Sequence, residues 1–432
     1  MSLLGILIGL VIIGLMMLVH ESGHFFAGRL LNFKILEFSI FMGPRLITTE
    51  KNGVKYSFRL LPIGASVQFA GEYSEDDDEI DDKNDPGLFF NRPRWARAIV
   101  VFSGPLANFI TAFLAFVIMF SAFGVAVPRL AAPIENTLIY KTNIAEGDRL
   151  ISYNNKKIRT SADFAIAKAF SDPTEPINIV IEKSDQSQHE IRLEPQTTEQ
   201  YRLGVVQNIE TNTIIEVDPE SNQGKPVLQE GDQIISINGI DYSASKEITD
   251  EINRAKNNPI VVKVKRDQEV LELSMRPTYY QDQLADGIFF TEGNSVVDVL
   301  YQAWHYPWSI VKSTIEGFAL IFQGQMKFSD SVTGPVGIVK VFGDVVQDSP
   351  DIGIMIYQLL FYFAMISVAI GFTNLLPIPP LDGHHLLILA IEGIRRKDLP
   401  DNFKHVVTAI GMFFILGLAL LIIYFDIRRI FN

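Results

Sequence analysis

Leu3–His24 reads LLGILIGLVIIGLMMLVHESGH. Leu3 to Val19 carries no charge, and the run ends in His20-Glu21-Ser22-Gly23-His24, an H-E-x-x-H pattern. On a helix this spacing sets two imidazoles one turn apart on one face. That geometry suits two of the protein ligands of a catalytic zinc, and the glutamate between them can serve as general base for the attacking water. The metal motif therefore lies at the end of a membrane-spanning helix. Ionisable groups at that depth are costly and by default mark a functional site.

The chain has 432 residues, a net charge of −13 and no cysteine. The acidic balance argues against nucleic acid as a partner and against a broadly basic membrane-binding face. Without cysteine there is no disulfide framework, thiolate metal site or cysteine nucleophile. No basic n-region precedes Leu3, and the apolar run leads into His20 and His24 rather than a small-residue cleavage site, so a signal peptide is not expected.

Four spans are expected, at about Leu3–Leu31, Ile99–Val127, Ile352–Leu376 and Val406–Phe425. Each supplies the roughly 20 residues that a helix needs to cross the hydrocarbon core. Arg29, Lys34, Arg92, Arg94 and Arg97 flank the first loop, and Arg395, Arg396, Lys397 and Lys404 lie in the last. Positively charged short loops stay in the cytoplasm, which places both termini and the long middle region outside. Arg428 and Arg429, after the fourth span, pull weakly the other way.

Ile35 to Phe41 and Tyr56 to Leu60 alternate like strands around the turn signal Glu50-Lys51-Asn52-Gly53, and Val67 and Phe69 resume the alternation. A hairpin here can dip toward the membrane where protein or water covers its backbone, and its edge can accept an extended peptide. A surface hairpin fits the same pattern. The acidic run Glu75 to Asp82 lacks the spacing of a calcium loop and reads as a solvated linker.

The middle region repeats itself. Gly147-Asp148-Arg149-Leu150-Ile151-Ser152-Tyr153-Asn154 recurs as Gly231-Asp232-Gln233-Ile234-Ile235-Ser236-Ile237-Asn238, each followed by a polar helical stretch and two strands. The pattern resembles the PDZ domain in its bacterial protease-associated form. Such domains bind extended peptides by strand addition, or they act as spacers that exclude bulky proteins. Val296–Phe322 then reads as an amphipathic helical segment near the outer membrane surface, broken or restarted at Pro307. His305 within it is a weak candidate ligand, since an isolated histidine among aromatics usually serves packing.

Two histidines leave a catalytic zinc short of a third protein ligand. Asp382, His384 and His385 are the candidates, in a proline-rich stretch running from Asn374 to His385 at the end of the third span. Taken with H-E-x-x-H, Leu381-Asp382-Gly383 resembles the signature of the site-2 proteases, the intramembrane zinc metalloproteases. The tandem insertion between the second and third spans resembles the RseP-type bacterial branch. The resemblance implies His20, His24 and Asp382 as zinc ligands, Glu21 as the base and Asn374 as a substrate-binding residue. Phe102-Ser103-Gly104-Pro105-Leu106-Ala107-Asn108 resembles a further family motif. The chain departs from the family where Phe41 stands in place of the first glycine of a G-x-G, and where His384 stands in place of the second glycine of L-D-G-G-H.

The expected fold is an α-helical membrane protein with four transmembrane helices, a membrane-associated β-hairpin and two inserted β-rich PDZ-like domains. Residues 1–127 would hold the first two spans and the hairpin. Residues 128–200 and 201–280 would be the two PDZ-like domains, 290–345 an amphipathic membrane-surface region, and 352–432 the last two spans. The resemblance implies a protease of the bacterial inner membrane with periplasmic PDZ-like domains and an active site toward the cytoplasm. Its substrates would be single-span membrane proteins, of the anti-sigma-factor and remnant-signal-peptide kind, already cut once outside. The rival readings are a membrane-anchored PDZ scaffold and a metal transporter. The second and fourth spans hold too few polar residues for the latter.

Overall fold

The computed structural model describes residues 3–72, 82–172, 174–208, 211–242, 245–267 and 269–431. Most of the acidic run, 75–81, lies outside them. The described residues divide into two compact units, one comprising Met1–Pro128, Ile158–Ile166 and Thr291–Asn432, the other Arg129–Lys157 and Ala167–Phe290.

Among the described residues the first unit holds four helices long and apolar enough to cross a membrane, with spans at Leu4–Leu30, Arg94–Phe123, Ile352–Asn374 and Asn402–Arg429. The second span starts and stops earlier than the sequence suggests. Arg94 and Arg97 belong to its first turns, and Gly124 ends it at φ 79°, after which Val125–Leu130 is a strand. β-branched Val125 and Val127 alternate with outward residues there, a pattern suited to a pleat.

Helix Val296–Phe322 runs unbroken through Pro307, against expectation. Proline removes one intrahelical bond. Here Ala303 and Pro307 are buried, and the helix packs against the second span, with Trp308 stacked on Phe109 and Tyr306 against Phe116 and Phe120. Packing of this kind contributes more to a helix than local propensity. His305 Nδ1 bonds to the carbonyl of Tyr301, one turn back, so the ring serves its own helix.

The hairpin is larger than two strands. β1 (Ile35–Lys51) and β2 (Val54–Phe69) each fold over at the middle. Phe38 therefore pairs with both Tyr56 and Val67, and Ser39 with both Ser57 and Ser66. The outcome is a four-segment sheet with Ala65–Phe69 along one edge. β1 bends where Phe41 and Gly43 adopt φ of 70° and 87°, and β2 where Gly64 adopts 82°. Glu37 is buried in the sheet and paired with Arg45 at 2.5 Å and Arg59 at 2.8 Å. Met42, Leu46, Ile47, Leu60 and Leu61 remain exposed, an apolar surface that suits lipid rather than water. At the base, Phe33, Ile35 and Phe69 join Phe25, Ala96 and Val100 in one core, which fixes the sheet to the first two spans.

The second unit is β-rich and contains the repeated glycine–aspartate stretches and the strands that follow them. In the first, strand Arg149–Tyr153 pairs with Ile177–Glu182, which pairs with Gln188–Leu193. In the second, Gln233–Ile237 pairs with Ile260–Arg266, which pairs with Glu269–Met275. The antiparallel ribbon of Thr197–Arg202 with Thr278–Gln283 brackets the second copy. The repeated residues do the same work in each copy. Gly147 and Gly231 take φ of 90° and 88°. Asp148 accepts from Ala145 N and pairs with Lys183 at 2.7 Å, and Asp232 accepts from Gln229 N and pairs with Arg266 at 2.7 Å. Asn154 and Asn238 both lie at positive φ and clamp the backbone N–H of Asn178 and Val261 at 2.8 Å.

Candidate metal centre

The first span is helical through His20–His24, so the motif's spacing becomes geometry. His20 Nε2 and His24 Nε2 lie 3.2 Å apart. Asp382 Oδ2 approaches them at 3.0 and 3.5 Å. Among the described residues these three form the group able to hold a metal ion, their ligand atoms all within 4.8 Å of one another. Both histidines are 8% exposed, and Asp382 Oδ2 is buried without a hydrogen-bond partner. Three lone-pair donors converging in a shielded place fit a tetrahedral zinc with one position left open.

Neighbours orient each imidazole. His24 Nδ1 lies 2.8 Å from the carbonyl of Val100 in the second span. A carbonyl only accepts, so Nδ1 carries the proton and Nε2 presents its lone pair. His20 Nδ1 lies 3.2 Å from the side-chain amide of Asn108, whose own oxygen is buried without a partner. A half-turn of that amide gives His20 the same arrangement.

The second span can come this close because of Gly104. A Cβ there would overlap the Nε2 of His24, and one at Gly23 would overlap the Ser103 carbonyl. Small residues at a crossing of membrane helices allow such approach. Ser103 Oγ donates across the crossing to the Gly23 carbonyl at 2.9 Å, and Ser367 in the third span donates to the carbonyl of Asn108 at 3.0 Å. The Phe102–Asn108 stretch thus lines the back of the centre. The motif marks the stretch in the sequence, but nothing in the sequence signals the contacts of Gly104, Val100 and Asn108.

Asp382 is the first residue of helix Asp382–Arg395, where the helix dipole favours a carboxylate. Gly383 serves close approach, since a Cβ would strike the carbonyls of Leu375 and Leu376. His384 is buried, and its ligand atoms lie outside the three-residue group, as do those of His385. Asn374 is the last residue of the third-span helix, and its side chain has no hydrogen-bond partner among the described residues.

Glu21 Oε2 accepts the backbone N–H of Val67 at 3.0 Å. The carboxylate beside the two histidines therefore touches the edge of the hairpin sheet. A glutamate, three side chains able to hold a metal ion and a strand edge meet at the ends of membrane helices, an arrangement suited to a membrane-embedded metalloprotease.

Residues 8–418 match the family model of Peptidase family M50, and the chain belongs to that family. It is 26% identical to the zinc metalloprotease RasP of Shouchella clausii over 98% of both chains. It is 26% identical to the metalloprotease MmpA of Caulobacter vibrioides, covering 99% of this chain and 97% of that one. It is 26% identical to a Salmonella typhimurium protein named regulator of sigma-E protease RseP, covering 95% and 96%. A solved HtrA3 PDZ domain with a phage-derived ligand covers 20% of this chain and 92% of its own, at 21% identity and a TM-score of 0.16. The family is zinc-dependent, as the relatives' names reflect, and the scaffold and transporter readings fall away.

Proposed function

We propose that this protease cleaves single-span membrane proteins within or beside their transmembrane segment, with zinc held by His20, His24 and Asp382 and with Glu21 as the base. The observation that carries the reading is the bond from Val67 N–H to Glu21, which sets the proton-moving group against the edge of the hairpin sheet. A transmembrane helix bonds its own amides and resists cleavage until it unwinds. The edge Ala65–Phe69 offers an opened segment substitute partners by strand addition. Asn374, with its amide free among the described residues, supplies another. Zinc, when bound, polarises the scissile carbonyl and acidifies the attacking water. Glu21 takes the water's proton and passes it to the leaving amine. Val100 and Asn108 keep the two imidazoles turned inward.

The substrate class is part of the proposal, and one relative's name, regulator of sigma-E protease, supports it. It comprises anti-sigma-factor-type proteins and remnant signal peptides, cut after an outer domain has been removed. Charge in the short loops supports a bacterial inner membrane placement with the repeats in the periplasm and the site toward the cytoplasm.

Glu21→Gln tests the mechanism. The variant should fold, keep its zinc and lose cleavage of a single-span reporter. Cleavage at the wild-type rate would exclude Glu21 as the base.

A further inference from the structure

The edge segment Ala65–Phe69 is covered by side chains. Along a strand, successive N–H groups point to opposite sides. Ala70 N bonds inward to the Lys34 carbonyl, so the amides of Val67 and Phe69 face outward. Each meets a carboxylate. Val67 N donates to Glu21 Oε2 at 3.0 Å, and Phe69 N donates to Glu72 Oε2 at 3.4 Å. Glu21 comes from the first span and Glu72 from the turn that follows β2. Neither is part of a strand, yet they occupy two successive alternate donors that a pairing strand would use.

We propose that Glu21 and Glu72 together cap the edge of the hairpin sheet, and that an extended substrate segment must take both N–H groups before it can be cut, with Glu72 as the positioning residue. The proposal rests on the proposed function, in which the substrate joins this edge. It couples pairing to chemistry. Glu21 is engaged by Val67 N–H until a substrate carbonyl replaces it, so the base is released only where a segment has unwound and paired. A passing intact helix has no free carbonyl to offer and leaves the cap in place. Glu72 holds the adjacent donor, so the exchange involves two bonds rather than one. An exposed row of unpaired donors also invites wrong pairing, and the two carboxylates block it.

The experiment uses the full-length protein, with Glu72→Ala and Glu72→Gln beside the wild type. Hydrogen exchange across residues 65–69 reads the cap directly, and kinetics on a single-span reporter read its consequence. Glu72→Ala should speed exchange at Phe69 and lower KM roughly fivefold, the scale of one net hydrogen bond, with a smaller change in kcat. Glu72→Gln, whose amide oxygen still accepts, should lie between. Unchanged exchange at Phe69 overturns the cap. Faster exchange with KM unchanged or raised leaves Glu72 a structural residue and overturns the coupling. Reporter cleavage absent in the wild type itself removes the functional reading, and the coupling with it, while the exchange data still show whether the edge is capped.

Discussion

Gly104 shows how little room the centre has. Alanine is the better helix former by about 1 kcal/mol, so Gly104→Ala should leave the second span helical. Its Cβ would nonetheless stand where His24 Nε2 is. The expected outcome is a folded protein that has lost most of its zinc, checked by metal analysis beside circular dichroism. Asn108 acts more gently, through the orientation of His20. Outer-shell partners of metal-bound histidine typically carry about 10- to 100-fold in affinity. Asn108→Ala should weaken zinc binding by that order in a chelator competition titration, and wild-type affinity would remove the residue from the account. The nearness of His20 and His24 was legible in the sequence because spacing within one helix sets it, and the place of Asp382 beside them through a local motif and a resemblance. The contacts of Gly104 and Asn108 were not, because they arise from a crossing of helices some eighty residues apart.

At the level of elements, alternation was enough to read the strands but not how they bend. β1 and β2 turn over where Phe41, Gly43 and Gly64 adopt positive φ, and nothing in a period of two announces a residue as bulky as Phe41 there. Its left-handed backbone costs about 1–2 kcal/mol relative to glycine. Its ring packs on Phe58 with centroids 5.2 Å apart. Phe41→Gly relieves the strain but loses that packing, and large aromatic truncations in packed sites cost about 3–5 kcal/mol. The variant should therefore melt below wild type, and a higher Tm would show that strain dominates. The helix through Pro307 was misread for a related reason, since the second span that supports it is distant in sequence. The repeats were the most legible elements, because glycine, aspartate and asparagine each carry a defined backbone task. In the second copy, burial alone would push the Asp232 carboxyl up, but its bonds to Arg266 outweigh this and hold it below the usual range. A carboxylate lowered on folding stabilises above its unfolded value of about 3.9 and loses that contribution as the pH falls through the lower folded value. Wild type should thus lose stability relative to Asp232→Asn as the pH drops below about 4. Thermal melts of the two proteins across that window check it, and parallel curves would contradict it.

At the scale of the whole molecule, an apolar unit and a β-rich unit divide the labour that the composition already suggested. The absence of cysteine makes the topology directly measurable. Asp267→Cys in the second repeat and Lys397→Cys in the last loop would each be the sole thiol of its chain. In right-side-out membrane vesicles an impermeant thiol reagent should label the first and not the second, and the reverse pattern would invert the proposed orientation. Under the proposed function, three side chains from two distant parts of the chain close one zinc site. Zinc stoichiometry of the purified full-length protein, wild type against Asp382→Ala, is the decisive measurement. One zinc per chain in the wild type and its loss in the variant is the predicted result, and equal zinc in both would contradict it.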